Sequence, residues 1–231
     1  MTQIYGIKLE YDVNPFQMRN LMAALPIEKQ NRINRFIHTA DAVSTLTADI
    51  LSRLLICNKL NIKNSDIQLM TNKYGKPLLQ GNHGLHFNNS HSGQWVLSAL
   101  SDSSIGIDVE IISEIDIDIA DHCFSEQECL DLYAQKDVTR TDYFFELWTL
   151  KESYIKAAGL GLSLPLSSFT IRIDNDAILL DTQNVFNNCY FKQYPIDSAY
   201  KVSVCSQQDR FPERVVLINF NEMYEQFIGY L

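Results

Sequence analysis

Helix-like and strand-like segments occur in blocks along this chain of 231 residues. After an alternating, strand-like run at 3–9, apolar side chains recur at the helical spacing over residues 15–25, 27–37 and 41–60. Strand-like runs bounded by turn residues follow at 67–70, 83–88, 95–100 and 105–111. Because strands and helices do not alternate one by one, this order predicts an α+β fold rather than parallel βαβ units.

The second part of the chain repeats this theme. Helical spacing occurs at 125–135 and 141–158, and strand-like runs occur at 169–173, 189–195 and 200–205. We therefore predict two halves, residues 1–104 and 105–231, each a small antiparallel sheet packed with helices. The cleft between two such halves is the natural place for a ligand.

The charge balance limits the partners. With 28 acidic and 19 basic residues, the formal net charge is −9, which repels nucleic acid and anionic membranes. We therefore predict neither as a partner, and an anionic ligand would need a local cluster of basic side chains.

The cysteines and the N-terminal residues indicate the cellular compartment in which the protein works. Five cysteines with no C-x-x-C spacing favour reduced thiols over a disulfide framework or a zinc ribbon. Residues 1–10 have no signal-peptide character, and no stretch approaches eighteen apolar residues. These features predict a soluble cytoplasmic protein.

Two carboxylates lie two residues apart in the predicted strand at 105–111. Strand alternation puts Asp108 and Glu110 on one face and Val109 on the other. Two interpretations stay open at this point: a solvated strand face, or a pair of oxygen ligands for a divalent metal.

A second group of charges lies in the predicted helix at 141–158. Phe144, Trp148 and Ile155 share an apolar stripe, and Lys151 and Glu152 fall inside it. One interpretation is a surface salt bridge between Glu152 and the residue four positions later, Lys156. The other is a carboxylate that binds a ligand, because an unpaired charge on a half-buried face is costly.

Three further segments could contact an anion. Lys29, Arg32 and Arg35 recur at a spacing of three on a predicted helix, although a solvated face would look the same. Residues 73–77 form a turn that has an aromatic ring and two lysines, and residues 88–93 follow a strand with hydroxyls and an imidazole.

The order of these pieces resembles the surfactin-type 4′-phosphopantetheinyl transferases, over residues 4–211. These enzymes activate the carrier proteins of peptide and polyketide assembly lines. The matching segments are Tyr74-Gly75-Lys76-Pro77, Phe87-Asn88-Asn89-Ser90-His91-Ser92, Gly106-Ile107-Asp108-Val109-Glu110, Trp148-Thr149-Leu150-Lys151-Glu152-Ser153 and Gly159-Leu160-Gly161-Leu162.

The resemblance implies a fold and a set of ligand contacts. The fold is a pseudo-two-fold pair of α+β halves with the active site between them, and we expect a monomer. Asp108, Glu110 and Glu152 would hold Mg²⁺ on the pyrophosphate of coenzyme A. The residues implied to contact coenzyme A itself are Lys29, Arg32, Thr45, Tyr74, Gly75, Lys76, Pro77, Ser90, His91, Lys151 and Lys156.

These contacts divide by the part of coenzyme A that they meet. Lys29 and Arg32 match positions that hold the 3′-phosphate, and the turn at 74–77 borders the adenine. Ser90 and His91 match positions that meet the phosphates.

The implied reaction transfers phosphopantetheine to a serine of an apo peptidyl or acyl carrier protein. The serine hydroxyl attacks the β-phosphorus of coenzyme A, and adenosine 3′,5′-bisphosphate leaves. Catalytic roles fall to Asp108 as a metal ligand, Glu152 as general base and Lys156 as the partner of the leaving phosphate. Because both proteins are acidic, the carrier is expected to dock on an apolar surface, with Leu160, Leu162 and Leu164 as candidates.

Three alternatives remain. A magnesium-dependent nucleotide hydrolase would use the same carboxylates on water. A non-catalytic module that binds coenzyme A or a carrier would have no need to keep Asp108, Glu152 and Lys156 together. A glycosidase with paired carboxylates is disfavoured, because the chain is short for the usual barrel and lacks its alternation of strand and helix.

Overall fold

The computed structural model describes residues 1–10, 13–81, 84–174 and 177–231. The N-terminal half contains β1 (Gln3–Lys8), α1 (Pro15–Ala23), α2 (Ile27–Ile33), α3 (Thr39–Leu60), β2 (Leu69–Thr71), β3 (Pro77–Leu79), β4 (His86–Ser92) and β5 (Trp95–Ser101). The second half contains β6 (Ile105–Ile111), α4 (Ala120–Cys123), α5 (Glu126–Tyr133), α6 (Asp137–Ala158), β7 (Thr170–Asp174), β8 (Ala177–Asp181), β9 (Tyr190–Gln193) and β10 (Tyr200–Ser206). The chain ends with β11 (Val216–Leu217) and α7 (Phe220–Ile228).

The two halves share one order of elements. Each begins with a strand, continues through helices to a helix of 22 residues, and then adds a two-stranded sheet and an antiparallel pair. β5 lies between β1 and β4, and β10 lies between β6 and β9, in both cases with antiparallel pairing. The prediction of an α+β fold with two pseudo-symmetric halves is confirmed.

The C-terminal segment departs from the predicted division at 104/105. β11 pairs in parallel with β1 in the sheet of the N-terminal half. Met223, Tyr224 and Phe227 of α7 are buried in one cluster with residues of α1 and α3. The last elements of the chain therefore belong to the N-terminal half, because its sheet and long helix offer the apolar surface that α7 covers.

The predicted strand at 83–88 also needs correction. Asn82 and His83 lie outside the described residues, and the strand found there, β4, runs to Ser92. Residues 88–92, predicted to follow a strand, are strand residues paired along β5, from Asn88 opposite Ala99 to Ser92 opposite Trp95. Polar side chains are typical of loops, but an edge strand next to a polar site can also carry them.

A glycine in β6 lets the long helix α6 approach the sheet. A Cβ atom at Gly106 would overlap the backbone carbonyl oxygen of Ser153 and the backbone amide of Ala157. Only glycine therefore permits the contact that brings α6 against β6. The same approach places Lys156 of α6 beside Asp108 of β6.

The halves also share a core. Ile4 and Leu97 of the first sheet belong to one buried cluster with Ile107 and Val204 of the second. Among the described residues, no helix combines the length and the apolar character needed to cross a bilayer.

Candidate active site between the two halves

A polar cavity of about 300 Å³ lies where β4 and β6 meet α6. We call it the acidic pocket, because three carboxylates line it together with one lysine. Its lining residues are Asn89, Ser90 and His91 of β4, Asp108 and Glu110 of β6, and Trp148, Glu152 and Lys156 of α6. The structure thus brings together residues predicted from three separate motifs.

Asp108 is the most buried carboxylate of the acidic pocket, at 2% exposure. Its Oδ1 atom accepts hydrogen bonds from Lys156 Nζ at 2.5 Å and from Ser90 Oγ at 2.9 Å. Its Oδ2 atom is buried and has no hydrogen-bond partner within the described part of the chain. A solvated strand face is therefore excluded for Asp108, and the bare oxygen is suited to a ligand.

Burial disfavours the charged form of all three carboxylates, and the charge of Asp108 further disfavours that of the other two. Burial raises the pKa of Asp108, against the opposing effect of Lys156. Burial and then the charge of Asp108 raise the pKa of Glu110 to about 7, although its Oε2 accepts a 2.8 Å hydrogen bond from Ser92 Oγ. Burial and Asp108 also raise the pKa of Glu152. Three carboxylates face the single ammonium group of Lys156, and a divalent cation would offset the remaining negative charge.

The side-chain arrangement is nevertheless not that of a loaded metal site. Within residues 1–10, 13–81, 84–174 and 177–231, no group of three or more His, Cys, Asp or Glu is placed to hold a metal ion. Lys156 instead occupies one oxygen of Asp108. The donor chemistry of Asp108, Glu110 and Glu152 fits a hard cation, but binding one requires these side chains to turn towards it.

Lys156 does not form the surface salt bridge considered for the helix. Its Nζ atom contacts Asp108 Oδ1 and Ser90 Oγ, the latter at 3.0 Å. The ion pair therefore joins α6 to β6 across the acidic pocket rather than two positions on one helix.

Lys151 lies away from the acidic pocket, so the expected contact with coenzyme A does not fit the structure. Its side chain is fully buried, and its Nζ atom contacts the two carboxylate oxygens of Glu128 at 2.5 and 2.6 Å. The same nitrogen donates to the Phe169 carbonyl at 2.8 Å. Neighbouring positions on a helix point about 100° apart, so Glu152 can face the pocket while Lys151 faces α5.

The hydroxyl of Ser90 also forms all of its hydrogen bonds within the protein. It donates to Asp108 and accepts from Lys156 and, at 3.3 Å, from the backbone amide of Val109. A serine has one hydroxyl proton, so it cannot donate to a phosphate without releasing Asp108. Next to it, burial and then the charge of Lys156 lower the pKa of His91, which favours the neutral imidazole.

The turn at 74–77 borders a second cavity, of about 410 Å³, that also contains Glu152 and Lys156 among its lining residues. Gly75 has φ +89° in this turn, a value that favours glycine. Lys76 Nζ donates to the carbonyl oxygens of Ile105 and Ala157, and burial lowers its pKa to about 8. The turn therefore lies next to Glu152 and Lys156, and the ammonium group of Lys76 is bound to the C-terminal half.

The basic side chains Lys29 and Arg32 of α2, which we call the basic edge, lie outside the acidic pocket. Lys29 Nζ contacts Asp49 Oδ2 at 3.0 Å, which offsets part of its charge, and Arg32 is exposed. Thr45 is half-buried on α3. None of these three side chains is among those that line the acidic pocket.

Two contributors were missed in the sequence. Ser92 holds Glu110, and Glu128 holds Lys151, but neither was selected as a functional residue. Alternation offers a signal for Ser92, because Asn88, Ser90 and Ser92 would share one face if the strand extended through them. For Glu128 the sequence shows only a capping box with Ser125. Its ion-pair partner, Lys151, lies 23 residues later, so local spacing does not reveal the pair.

Comparisons with known proteins show which family the chain is similar to. The family description "4'-phosphopantetheinyl transferase superfamily" matches residues 104–205, and "4'-phosphopantetheinyl transferase, N-terminal" matches residues 12–103. The chain is 38% identical to 4'-phosphopantetheinyl transferase Sfp of Bacillus subtilis (strain 168) over 222 residues, which cover 96% of this chain and 99% of that one.

Two further proteins are similar. The 4'-phosphopantetheinyl transferase gsp of Aneurinibacillus migulanus is 36% identical over 206 residues, or 89% of this chain and 86% of that one. The solved structure of Thermotoga maritima holo-[acyl-carrier-protein] synthase is 20% identical, with a TM-score of 0.40, over 47% of this chain and 64% of that one. On the sequence matches, the chain belongs to the 4′-phosphopantetheinyl transferase superfamily.

Proposed function

We propose that the protein transfers 4′-phosphopantetheine from coenzyme A to a serine of an apo peptidyl or acyl carrier protein. Such a transfer activates nonribosomal peptide, polyketide or related biosynthesis. The observation that carries the proposal is the acidic pocket, where Asp108, Glu110 and Glu152 face Lys156 beside the turn at 74–77. The family to which the chain belongs supports the same reaction.

The chain's own residues divide the chemistry between them. Glu152 accepts the proton of the carrier serine, whose oxygen forms a bond to the β-phosphorus of coenzyme A. The bond between that phosphorus and the bridging oxygen breaks, and adenosine 3′,5′-bisphosphate leaves. Lys156 pairs with the leaving phosphate, because its ammonium group lies at the wall of the pocket where charge develops.

Asp108, Glu110 and Glu152 would hold the Mg²⁺ that we assign to this site. Among the residues that the structure describes, Oδ2 of Asp108 has no hydrogen-bond partner, and the charge of Asp108 raises the pKa of Glu110 and of Glu152; both observations support this assignment. When bound, Mg²⁺ neutralises the pyrophosphate and the negative charge that develops on it.

The remaining contacts with coenzyme A are assigned by position. The turn formed by residues 74–77 borders the adenine, and His91 meets the phosphates. Thr45 lies on α3, and Lys29 and Arg32 lie on α2, where they bind the 3′-phosphate.

The basic edge gives a specific prediction about the 3′-phosphate. We expect K29A/R32A to raise the KM for coenzyme A at least about tenfold, because charge-assisted hydrogen bonds to the phosphate are lost. The KM for 3′-dephospho-coenzyme A should change little, since that substrate lacks the phosphate. Steady-state kinetics with both substrates measures the difference, and equal effects on the two would contradict the assignment.

The carrier is expected to dock on the apolar rim of the second cavity. Leu162 is fully exposed, while Leu160 and Leu164 are half-buried. The short 3₁₀ turn Gly161–Ser163 that carries Leu162 lies near the N-terminal half, where Asn72 Nδ2 donates to the Gly159 carbonyl. A carrier serine that reaches Glu152 would pass this rim, because Leu162 and Glu152 line the same cavity.

Leu162→Asp tests this surface. The substitution removes the apolar surface that a docked carrier would bury. It should therefore raise the KM for the carrier about tenfold and leave the KM for coenzyme A unchanged. Val138→Asp is the matched control, because Val138 is 89% exposed and lines neither cavity. A carrier KM that rises steeply with added salt in the wild type would instead show that charge pairs do the docking.

We further propose that the protein acts as a monomer in the cytoplasm, without nucleic acid or membrane partners. The net charge of −9 supports the absence of polyanionic partners.

The release of adenosine 3′,5′-bisphosphate tests transfer against hydrolysis. With coenzyme A and Mg²⁺, we expect release only when an apo-carrier is added, in amounts equal to the carrier modified. Release without a carrier, together with free pantetheine phosphate, would support the alternative of a nucleotide hydrolase.

A further inference from the structure

The two halves meet along strands β4 and β6, which are edge strands of separate sheets. Side chains of β4 join them. Asn88 Oδ1 accepts from the backbone amide of Ile107 at 2.8 Å, Ser90 Oγ from that of Val109 at 3.3 Å, and Ser92 Oγ from that of Ile111 at 3.1 Å. We call this set of three contacts the β4–β6 seam.

The geometry of the seam is regular. Each acceptor lies 19 residues before its donor, so the strands run in the same direction and every second residue of β4 takes part. Side chains at this spacing share one face of a strand. Along the seam, side-chain oxygens of β4 take the place of backbone carbonyl acceptors. They satisfy backbone amides of β6 that would otherwise have no hydrogen-bond partner at the edge of its sheet.

Two of the three seam residues also hold the carboxylates of the acidic pocket. Ser90 Oγ donates to Asp108 Oδ1 at 2.9 Å, and Ser92 Oγ donates to Glu110 Oε2 at 2.8 Å. Each hydroxyl therefore accepts from the backbone of β6 and donates to a side chain of β6. Ser90 also accepts from Lys156 Nζ at 3.0 Å, which uses its remaining acceptor site.

We propose that Ser90 and Ser92 are positioning residues. The same two hydroxyls set the spacing between the two halves and the orientation of the carboxylates of Asp108 and Glu110. The inference rests on the proposed function, since the carboxylates are assigned there to catalysis. It differs from a contact of Ser90 with phosphate in what it predicts for kinetics. A phosphate contact affects substrate binding, whereas a misplaced carboxylate affects the rate of the bound complex.

The kinetic test compares Ser90→Ala and Ser92→Ala with Ser98→Ala. Ser98 is a buried serine of the neighbouring strand β5 that donates one hydrogen bond to Asn89 and lies outside the lining of the acidic pocket. We expect Ser90→Ala and Ser92→Ala each to lower kcat about tenfold or more, with less than about a twofold change in the KM for coenzyme A. Ser92→Thr, which keeps the hydroxyl on a half-buried site, should recover most of kcat, and Ser98→Ala should stay near the wild type.

A second readout does not depend on activity. The free energies of unfolding in urea of Ser90→Ala, Asp108→Asn and the double variant form a mutant cycle, and we expect non-additive effects because the two side chains are in contact. Additive effects would overturn the proposal, as would a Ser90→Ala variant with a tenfold higher KM for coenzyme A and an unchanged kcat. A wild type that modifies no carrier would count against the proposed function instead, and the unfolding cycle would still decide the role of Ser90.

Discussion

Asp108→Asn should lower phosphopantetheine transfer about a hundredfold to a thousandfold at saturating coenzyme A. The substitution keeps the size of the side chain but removes the charge that pairs with Lys156 and the anionic oxygen proposed to bind Mg²⁺. Glu152→Gln should have an effect of similar size, because it removes the proposed base. Initial rates of carrier modification measure both effects.

The fold should survive these two substitutions, since burial already raises the pKa of Asp108 and of Glu152 and so disfavours their charged forms. Asp102→Asn is the matched control, because Asp102 is a partly exposed carboxylate that pairs with the N-terminal amine. It should leave transfer unchanged. Wild-type activity in Asp108→Asn, with Mg²⁺ present, would rule out the acidic pocket as the reaction site.

Lys151→Met should cost about 3–5 kcal/mol of the free energy of unfolding. The substitution leaves Glu128 as a fully buried carboxylate without its counter-ion. Glu128→Gln should be destabilising for the corresponding reason, because burial lowers the pKa of Lys151 and Glu128 is the largest opposing influence. Urea unfolding followed by circular dichroism measures both losses.

The double variant Lys151→Met/Glu128→Leu separates structure from ligand binding. Replacing both ions by apolar groups of similar size removes the unpaired charge, so part of the lost stability should return, although the backbone amides of Ile171 and Ser125 lose their acceptor. With the fold recovered, the KM for coenzyme A should match that of the wild type. A stable double variant with a strongly raised KM would show that Lys151 contacts coenzyme A after all.

The acidic pocket could be predicted largely from local patterns. Alternation placed Asp108 and Glu110 on one face of a strand, and the charges inside an apolar helix stripe indicated that Lys151 and Glu152 needed partners. Which partner each one has depends on tertiary contacts. Lys151 pairs with a residue 23 positions earlier, and Lys156 pairs with one 48 positions earlier, on a different element.

The position of the last two elements, β11 and α7, could not be predicted from the sequence for a different reason. Asn219 followed by Glu222 forms a capping box that starts α7, and this signal is visible in the sequence. The return of β11 and α7 to the first half could not be predicted in the same way. It depends on the free edge of β1 and on the apolar surface of α3, which exist only once the first half has folded.

The intact mass of an apo-carrier tests the central claim most directly, after incubation with the protein, coenzyme A and Mg²⁺. We predict a gain of one phosphopantetheine on the wild-type carrier, no gain on a carrier whose acceptor serine is alanine, and a strongly slowed gain with Asp108→Asn. An unmodified wild-type carrier under all conditions, or equal modification by Asp108→Asn and the wild type, would contradict the assignment of transfer to the acidic pocket.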